Sequence, residues 1–258
     1  MKNALILAQK DFGSYFRSWV GTFLAAFFLL IAGIFFAVLI VSYAKISLDA
    51  QRNAFEGVQG LGLTRFIYSS FFLNLGAILM FLTPLLTMRS IAEERRHETL
   101  ELLYTYPLSD AQIVLGKFLA LEAFFITLLI PTLLYTLVIK YLGAEIQWQV
   151  VGMGYLGFWL LGTAYLALGL FISSLSDSQV VCGIVTFGCL TVFWIMDWIV
   201  GVTDGTIAQV LTALSPLSHY REFAYGIFDL SHLIYFVFFK FYFLFLALRS
   251  VEVRNWKG

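Results

Sequence analysis

The chain has 258 residues, of which 60% are hydrophobic and only 12% are charged, and its formal net charge is zero. A water-soluble domain is about half apolar and roughly a quarter charged, so this composition excludes an ordinary soluble protein and indicates a lipid environment. The zero net charge, without any strongly basic block, also argues against a nucleic acid partner.

Apolar runs long enough to cross a bilayer recur along the chain. A hydrocarbon core about 30 Å thick needs roughly 20 apolar residues at 1.5 Å each. Reading from charge to charge, we predict spans at 18–44, 66–88, 118–139, 150–174, 178–200 and 230–248. The first run exceeds the apolar region of a secretory signal, so we expect a retained span.

Two shorter segments accompany the spans. Residues 1–17 place their apolar side chains near one face, which predicts an interfacial helix leading into the first span. Residues 205–220 carry no charge but are too few to cross the membrane, and they end with Ser215, Pro216 and His219. This pattern predicts a re-entrant or interfacial hairpin before the last span.

The distribution of Lys and Arg predicts the orientation. Six spans place both termini on one side. If that side is the cytoplasm, ten Lys and Arg residues fall in inside segments and five in outside segments. Basic residues prefer cytoplasmic loops, so we predict that both termini are cytoplasmic.

The charged segment, residues 89–110, joins the second and third spans and holds the densest cluster of charges. Glu93 and Arg96 are three residues apart and can pair on a short exposed helix. Leu100 and Leu103 give that helix an apolar edge, and Pro107 ends it. Ser109 or Asp110 can then cap the next helix. Two interpretations remain: a structured helix parallel to the membrane that receives a push from a soluble motor, or a solvated loop.

Known catalytic motifs are absent from the sequence. Gly116 and Lys117 lack the upstream glycine and the following Ser or Thr of a phosphate-binding loop. We therefore predict no catalytic residue, no metal site and no ATP hydrolysis on this chain. The histidines His97, His219 and His232 are separated in sequence, and we interpret them as hydrogen-bonding groups.

A few polar side chains interrupt the apolar spans. Glu122 and Lys240 each place a charge inside a span, at a cost of roughly 2.5–3.5 kcal/mol near a helix centre. Three interpretations are open: snorkelling to the interface, pairing with each other, or contact with the substrate. Asn74 is a further candidate for the transport pathway, and Asp197 is interpreted as an interfacial anchor. Small residues of the fourth span are expected to pack within the bundle rather than form a dimer seam.

The charged segment resembles the signature of ABC-2 type transporter permeases. The resemblance rests on Glu-Glu-Arg-Arg-His-Glu-Thr-Leu-Glu-Leu-Leu (93–103), Tyr-Pro-Leu-Ser (106–109) and Ile-Val-Leu-Gly-Lys (113–117). Further blocks, such as Leu-Ser-Pro-Leu-Ser-His, extend it over nearly the whole chain. Among these permeases the sequence looks most like the gliding-motility-associated subgroup (GldF type). Glu98 stands where the family usually has glycine, the residue that most readily allows a sharp bend.

The resemblance implies a fold, a function and partners. The fold is an all-α integral membrane domain with six spans, an interfacial N-terminal helix, a cytoplasmic coupling helix and the hairpin. The positions that match the family's ATPase-coupling helix are Glu93, Glu94, Thr99, Leu100, Glu101, Leu103 and Pro107. The implied function is the permease subunit of an ATP-driven exporter in the bacterial inner membrane.

The implied partners are ABC ATPase subunits, a second permease copy in a homodimer, and an auxiliary membrane-anchored subunit with an extracytoplasmic domain. ATP and Mg would bind to the ATPase, and this chain would hold no cofactor. The alternative is a transporter-like scaffold that transduces ATPase-driven force or signal without moving cargo. An intramembrane enzyme is disfavoured by the missing catalytic groups. A pathway rich in Phe, Leu and Gly fits lipids, apolar peptides and polymers alike.

Overall fold

The computed structural model describes residues 2–52, 63–92, 94, 109–141, 143 and 145–255. Every regular element in those residues is a helix, which confirms the predicted all-α class. In chain order the elements are α1 (Lys2–Arg17), α2 (Trp19–Arg52), α3 (Leu63–Thr87), α4 (Asp110–Leu129), a 3₁₀ turn (Ile130–Leu133), α5 (Leu134–Tyr141), α6 (Trp148–Leu175), α7 (Gln179–Val200), α8 (Thr206–Leu214), α9 (Pro216–Ala224) and α10 (Leu230–Asn255).

Within the described residues, six helical segments are long and apolar enough to cross a membrane, as predicted. They are Trp19–Leu48, Thr64–Thr87, Asp110–Tyr141, Trp148–Leu175, Gln179–Val200 and Leu230–Val253. The third joins α4, the 3₁₀ turn and α5. Pro131 lies at the start of that turn, where it cannot donate a backbone hydrogen bond, so the segment tightens without ending. The chain is a multi-pass membrane protein.

Three spans extend at least four residues beyond their predicted limits. The third, predicted at 118–139, begins at Asp110, because Ser109 forms a capping box with Gln112. The predicted span begins directly after Lys117, but Lys117 lies inside α4 and is only 3% exposed. The first span, predicted at 18–44, continues to Leu48, and the sixth, predicted at 230–248, continues to Val253. A single charge therefore did not end any of these three helices.

The helix α6 lies at the centre of the bundle, packed against α3, α4, α9 and α10. In the apolar stretch of α6, 83% of the residues are buried inside the protein, whereas only 11% of the residues in the apolar stretch of α10 are buried. A Cβ atom would overlap a neighbouring side chain at four of the five glycines of α6, Gly154, Gly157, Gly162 and Gly169, which lie against Phe72, Phe223, Phe125 and Thr87. The expected packing of small residues within the bundle is confirmed at these positions. Gly152, by contrast, faces open space.

The helix α1 occupies the stretch predicted as an interfacial helix and packs against α4. Near its start, the carbonyl oxygen of Ala4 lies against Gly116. Near its end, the ring of Tyr15 lies 5.3 Å from that of Phe124. The contacts advance in the same direction along both helices, so α1 and α4 run side by side at an acute angle. The position of α1 at the membrane interface stays a prediction.

The predicted hairpin at 205–220 consists of the two short helices α8 and α9, which meet at Ser215. The helix α9 is buried through Tyr220 and Phe223, and the Tyr220 hydroxyl donates a 2.6 Å hydrogen bond to the carbonyl of Phe72. Phe72 lies nine residues into α3, about 14 Å along its axis. These contacts support a hairpin that folds back into the bundle, and its depth in the bilayer stays a prediction.

Candidate functional site

Only parts of the charged segment belong to the described residues: 89–92, 94, 109 and 110. Most of the predicted ATPase-coupling positions therefore lie outside them, and their roles stay predictions. These are Glu93, Thr99, Leu100, Glu101, Leu103 and Pro107. Glu94 is described, and so are both ends of the segment, which join it to the bundle.

The beginning of the charged segment is fastened to the end of α6. The backbone N–H groups of Ile91 and Ala92 both donate to the hydroxyl oxygen of Ser173, at 3.1 and 3.2 Å. All three residues are buried. A buried N–H group without an acceptor costs about 1–3 kcal/mol. The Ser173 hydroxyl removes that cost at two consecutive residues and holds the backbone in place.

The Lys117 clamp, which we define as Lys117, Glu94 and Asp11, joins the charged segment to two helices. The ammonium nitrogen of Lys117 lies 2.7 Å from Glu94 Oε2 and 3.4 Å from Asp11 Oδ2. The side chain of Lys117 is 3% exposed, whereas the side chains of Asp11 and Glu94 are 16% and 21% exposed. Because a buried cation needs partners to offset its lost hydration, α4, α1 and the charged segment are held at one point.

The clamp was only partly visible in the sequence. Glu94 and Lys117 matched the family signature, but Asp11 and Lys117 are separated by 106 residues. Asp11 is the only acid among residues 1–17, which is a usable signal. Its partner, however, is determined by the packing of α1 along α4, which the sequence alone did not predict.

Arg89 lies where α3 meets the joint between α1 and α2. It lines a small cavity together with Tyr15, Ser18 and Leu86. Its Nε atom is buried and has no hydrogen-bond acceptor in the described part of the chain. This end of the bundle thus carries a second basic side chain beside α1, close in sequence to the fastened residues Ile91 and Ala92.

Glu122 and Lys240 approach each other from α4 and α10 without forming a direct ion pair. Lys240 Nζ lies 5.3 Å from the ring centroid of Trp159 and 6.0 Å from that of Phe118. Glu122 lies within electrostatic range of Lys240 and beside the indole of Trp159. The aromatic faces stabilise the ammonium group. Of the three open interpretations, the geometry therefore does not support a contact ion pair between Glu122 and Lys240.

Asn74 lies on an exposed face of α3, apart from the two charges. Its side-chain amide donates a 2.8 Å hydrogen bond to the carbonyl of Ser70, one turn earlier. This local bond satisfies one amide proton within the helix. The structure therefore does not bring the three predicted intramembrane polar residues together, and a role for Asn74 in the pathway stays a prediction.

At the opposite end of the bundle, Asp197 anchors the hairpin to α7. Its Oδ2 accepts a 2.6 Å hydrogen bond from the Arg221 guanidinium, and its Oδ1 accepts one of 3.0 Å from the Ser218 hydroxyl. Both donors belong to α9. Sequence reasoning placed Asp197 at the interface but found neither donor, because 21 and 24 residues separate them from Asp197.

The histidines of the hairpin end also meet. The Nδ1 atoms of His219 and His232 are 2.6 Å apart, and His219 Nε2 lies 3.2 Å from the carbonyl oxygen of Ala213. Burial lowers the pKa of His219 below its ordinary value and the nearby His232 lowers it further, while the bond to Ala213 opposes them. Hydrogen bonds from Ser231 lower the pKa of Asp229, in the turn before α10.

The sequence of the chain matches a known family of membrane proteins. The sequence model of the family described as "ABC-2 family transporter protein" matches residues 5–249, nearly the whole chain. The chain belongs to the ABC-2 transporter family. No individual curated protein matches it.

Membership in the ABC-2 family gives the bundle a general role. ABC-2 membrane components are transport components that are generally not themselves catalytic, and they generally work with ABC ATPase partners. An ABC-2 component therefore needs a mechanical connection between an ATPase and its own spans. In this chain, Ile91, Ala92 and Glu94 of the charged segment are fastened to α6 and α4, and Ser109 at its other end caps α4.

Proposed function

We propose that the chain is the permease subunit of an ATP-driven ABC-2 exporter, and that a separate ABC ATPase chain energises it through the charged segment. ATP and Mg bind to that ATPase. Family membership supports the general role, and the Lys117 clamp is the single observation that carries the coupling assignment.

The clamp supports a defined path for force. Glu94 belongs to the charged segment, and its 2.7 Å ion pair with Lys117 ties that segment to α4. Asp11 shares the same cation, so a displacement of Glu94 also acts on α1. At the other attachment, Ser173 ties Ile91 and Ala92 to α6. Because α6 packs against α3, α4, α9 and α10, a push on the segment reaches the whole bundle.

The wider assembly is part of the same proposal. Two copies of the chain pair as a homodimer and bind two ATPase subunits, and an auxiliary membrane-anchored subunit contributes an extracytoplasmic domain. The system is of the gliding-motility-associated type and lies in the bacterial inner membrane, with both termini cytoplasmic. The apolar outer faces of α2, α7 and α10, which are little buried in the single chain, support contact with lipid and with the second copy.

The charged segment should act through direct contact with the ATPase. In a helix-in-groove contact, a few buried apolar anchors hold most of the energy and rim charges hold little. Leu103→Asp should therefore abolish pull-down of the cognate ATPase and stimulation of ATP turnover in the reconstituted complex, because it places an unpaired carboxylate in the contact. Full retention of both by a folded Leu103→Asp protein would exclude this coupling role.

A matched control is available one residue away. On a helix, Leu102 points about 100° away from Leu103, so Leu102→Asp adds the same charge outside the edge formed by Leu100 and Leu103. We expect it to keep most of the ATPase binding. Sustained ATP turnover that responds to no transported substrate would favour the alternative, a force-transducing scaffold.

A further inference from the structure

A pair of histidines joins the hairpin to the last span. His219 belongs to α9 and His232 to the first turn of α10, and their Nδ1 atoms are 2.6 Å apart. The ring of His219 also stacks on that of Tyr235, with centroids 3.9 Å apart. The Tyr235 hydroxyl donates a 2.7 Å hydrogen bond to the carbonyl of Leu214, at the end of α8. One face of α10 thus holds both helices of the hairpin.

The hydrogen-bond geometry assigns the proton between the rings. His219 Nε2 faces a carbonyl oxygen, which only accepts, so this nitrogen carries a hydrogen. In the neutral ring Nδ1 of His219 is then the acceptor, and the hydrogen between the two Nδ1 atoms belongs to His232. At 2.6 Å there is room for one hydrogen only. A hydrogen on His219 Nδ1 as well would set two N–H donors against each other and place a positive charge on the buried side of His219.

A metal ion fits this geometry less well than a proton. Two nitrogen ligands at 2.0–2.1 Å from a tetrahedral zinc lie about 3.3 Å apart, farther than the two Nδ1 atoms are. Among the described residues no group of three His, Cys, Asp or Glu side chains is placed to hold a metal. The short contact therefore points to proton sharing.

The ionisable surroundings do little to favour a doubly charged pair. On α9 the neighbours are Arg221 and Glu222, and Arg221 is paired with Asp197 of α7. The turn before α10 supplies Asp229, which bonds to Ser231 and lies within electrostatic range of His232. The helix α8 carries no ionisable side chain.

The tyrosines complete the surroundings of the pair. Tyr235 of α10 stacks on His219, and Tyr165 of α6 lies beyond it, within range of Tyr235 and Asp197. Both phenols are neutral near pH 7, and α3 contributes the carbonyl that binds Tyr220. Among the described residues, Asp229 is the carboxylate that interacts electrostatically with His232.

We propose that His219 and His232 form a proton-controlled latch, which holds the α8–α9 hairpin against α10 while they share one proton and releases it when acid adds a second. A released histidine takes up a proton with a pKa of about 6.5, whereas the latched His219 resists it. The latch is therefore fully present above about pH 6.5 and weakens as the pH falls below that value. Between pH 7.5 and 5.5 the open population should rise by up to about tenfold.

Hydrogen–deuterium exchange of the full chain in nanodiscs, with a chelator present, tests the latch. After correction for the intrinsic pH dependence of exchange, wild-type peptides covering 206–224 should exchange up to about tenfold more readily at pH 5.5 than at pH 7.5. His219→Gln and His232→Gln should each remove this difference. The control His97→Gln removes the third histidine of the chain and should keep it.

Two results would overturn the proposal. One is wild-type protection of 206–224 that is the same at both pH values. The other is a pH response that persists in His232→Gln, because a histidine pair cannot act through one ring. If His219→Gln fails to fold, the wild type and His232→Gln still decide the question.

Discussion

Lys117 Nζ lies 2.7 Å from Glu94 Oε2, and the only described part of the charged segment between Ala92 and Ser109 is thereby bound to α4. Asp11 approaches the same ammonium group less closely, at 3.4 Å. One buried cation thus serves two carboxylates from different elements. Loss of either carboxylate leaves Lys117 with a partner, and loss of both strands a charge.

This arrangement predicts non-additive effects on stability. Glu94→Gln and Asp11→Asn should each cost about 1 kcal/mol, because the other carboxylate remains. The double variant should cost about 3–5 kcal/mol, because it leaves an unpaired buried ammonium group. The measurement is the free energy of unfolding by denaturing detergent in mixed micelles, analysed as a double-mutant cycle.

An exposed ion pair of the same length provides the control. Arg249 and Glu252 are also 2.7 Å apart, but their side chains are 60% and 33% exposed. Neutralising both should cost no more than about 1 kcal/mol, because water screens the pair. The losses of unfolding free energy in Glu94→Gln and Asp11→Asn could instead be strictly additive and as small as those of the exposed pair. That result would mean that Lys117 does not depend on these two partners.

The orientation of the chain predicts which residues a membrane-impermeant thiol reagent reaches. Asp177 precedes α7 and Asp204 follows it, so they lie at opposite ends of one span. In a background without Cys182 and Cys189, Asp204→Cys should be labelled from outside intact cells and Asp177→Cys only after permeabilisation. The reverse pattern would place the charged segment outside the cytoplasm, where no ATPase can contact it.

The spans were predictable because a bilayer demands about 20 consecutive apolar residues. That requirement can be read along the chain without knowledge of tertiary contacts. The start of α4 at Asp110, with Ser109 as its cap, was also predictable, since capping depends on residues only three positions apart. Span limits were less predictable, because Lys117 interrupts the apolar run without ending the helix.

Side-chain partners across the bundle were not predictable to the same degree. The bonds of Asp11 with Lys117 and of Arg221 with Asp197 depend on which faces of separate helices meet. The depths of Glu122 and Lys240 allow the two residues to pair, but depth does not specify the direction in which a side chain points. The rings of Trp159 and Phe118 turn out to receive the Lys240 ammonium group.

The cluster of Glu122, Lys240 and Trp159 predicts modest coupling energies. Without a direct contact, Glu122→Gln and Lys240→Met should couple by about 1–2 kcal/mol, the range of partly screened charges. Lys240→Met and Trp159→Leu should couple by about 0.5–2 kcal/mol through the lost cation–π contact. Both coupling energies are measured by double-mutant cycles on the free energy of unfolding in nanodiscs. A Glu122–Lys240 coupling above about 3 kcal/mol would indicate a contact ion pair and contradict the geometry.

Because α6 and the hairpin approach each other closely, we predict that Gly157 of α6 cannot be replaced by a residue with a Cβ atom without loss of stability. A Cβ at Gly157 would overlap Phe223, a fully buried residue of α9. Gly157→Ala should therefore destabilise the protein by about 1–3 kcal/mol, since overpacking forces buried side chains from their preferred rotamers. Unfolding by denaturing detergent measures the loss, and faster hydrogen exchange of residues 216–224 would locate it.

Gly152 on the same helix separates this packing effect from a change in helix propensity. A Cβ there meets no atom within 4 Å, so Gly152→Ala gains helix propensity, worth up to about 1 kcal/mol in a helix interior, without a clash. We expect it to be neutral or slightly stabilising and to leave hydrogen exchange of the hairpin unchanged. Equal losses at Gly157 and Gly152 would show that the glycines serve backbone flexibility. A loss confined to Gly157 would show that α9 packs into a notch on α6 that only glycine provides.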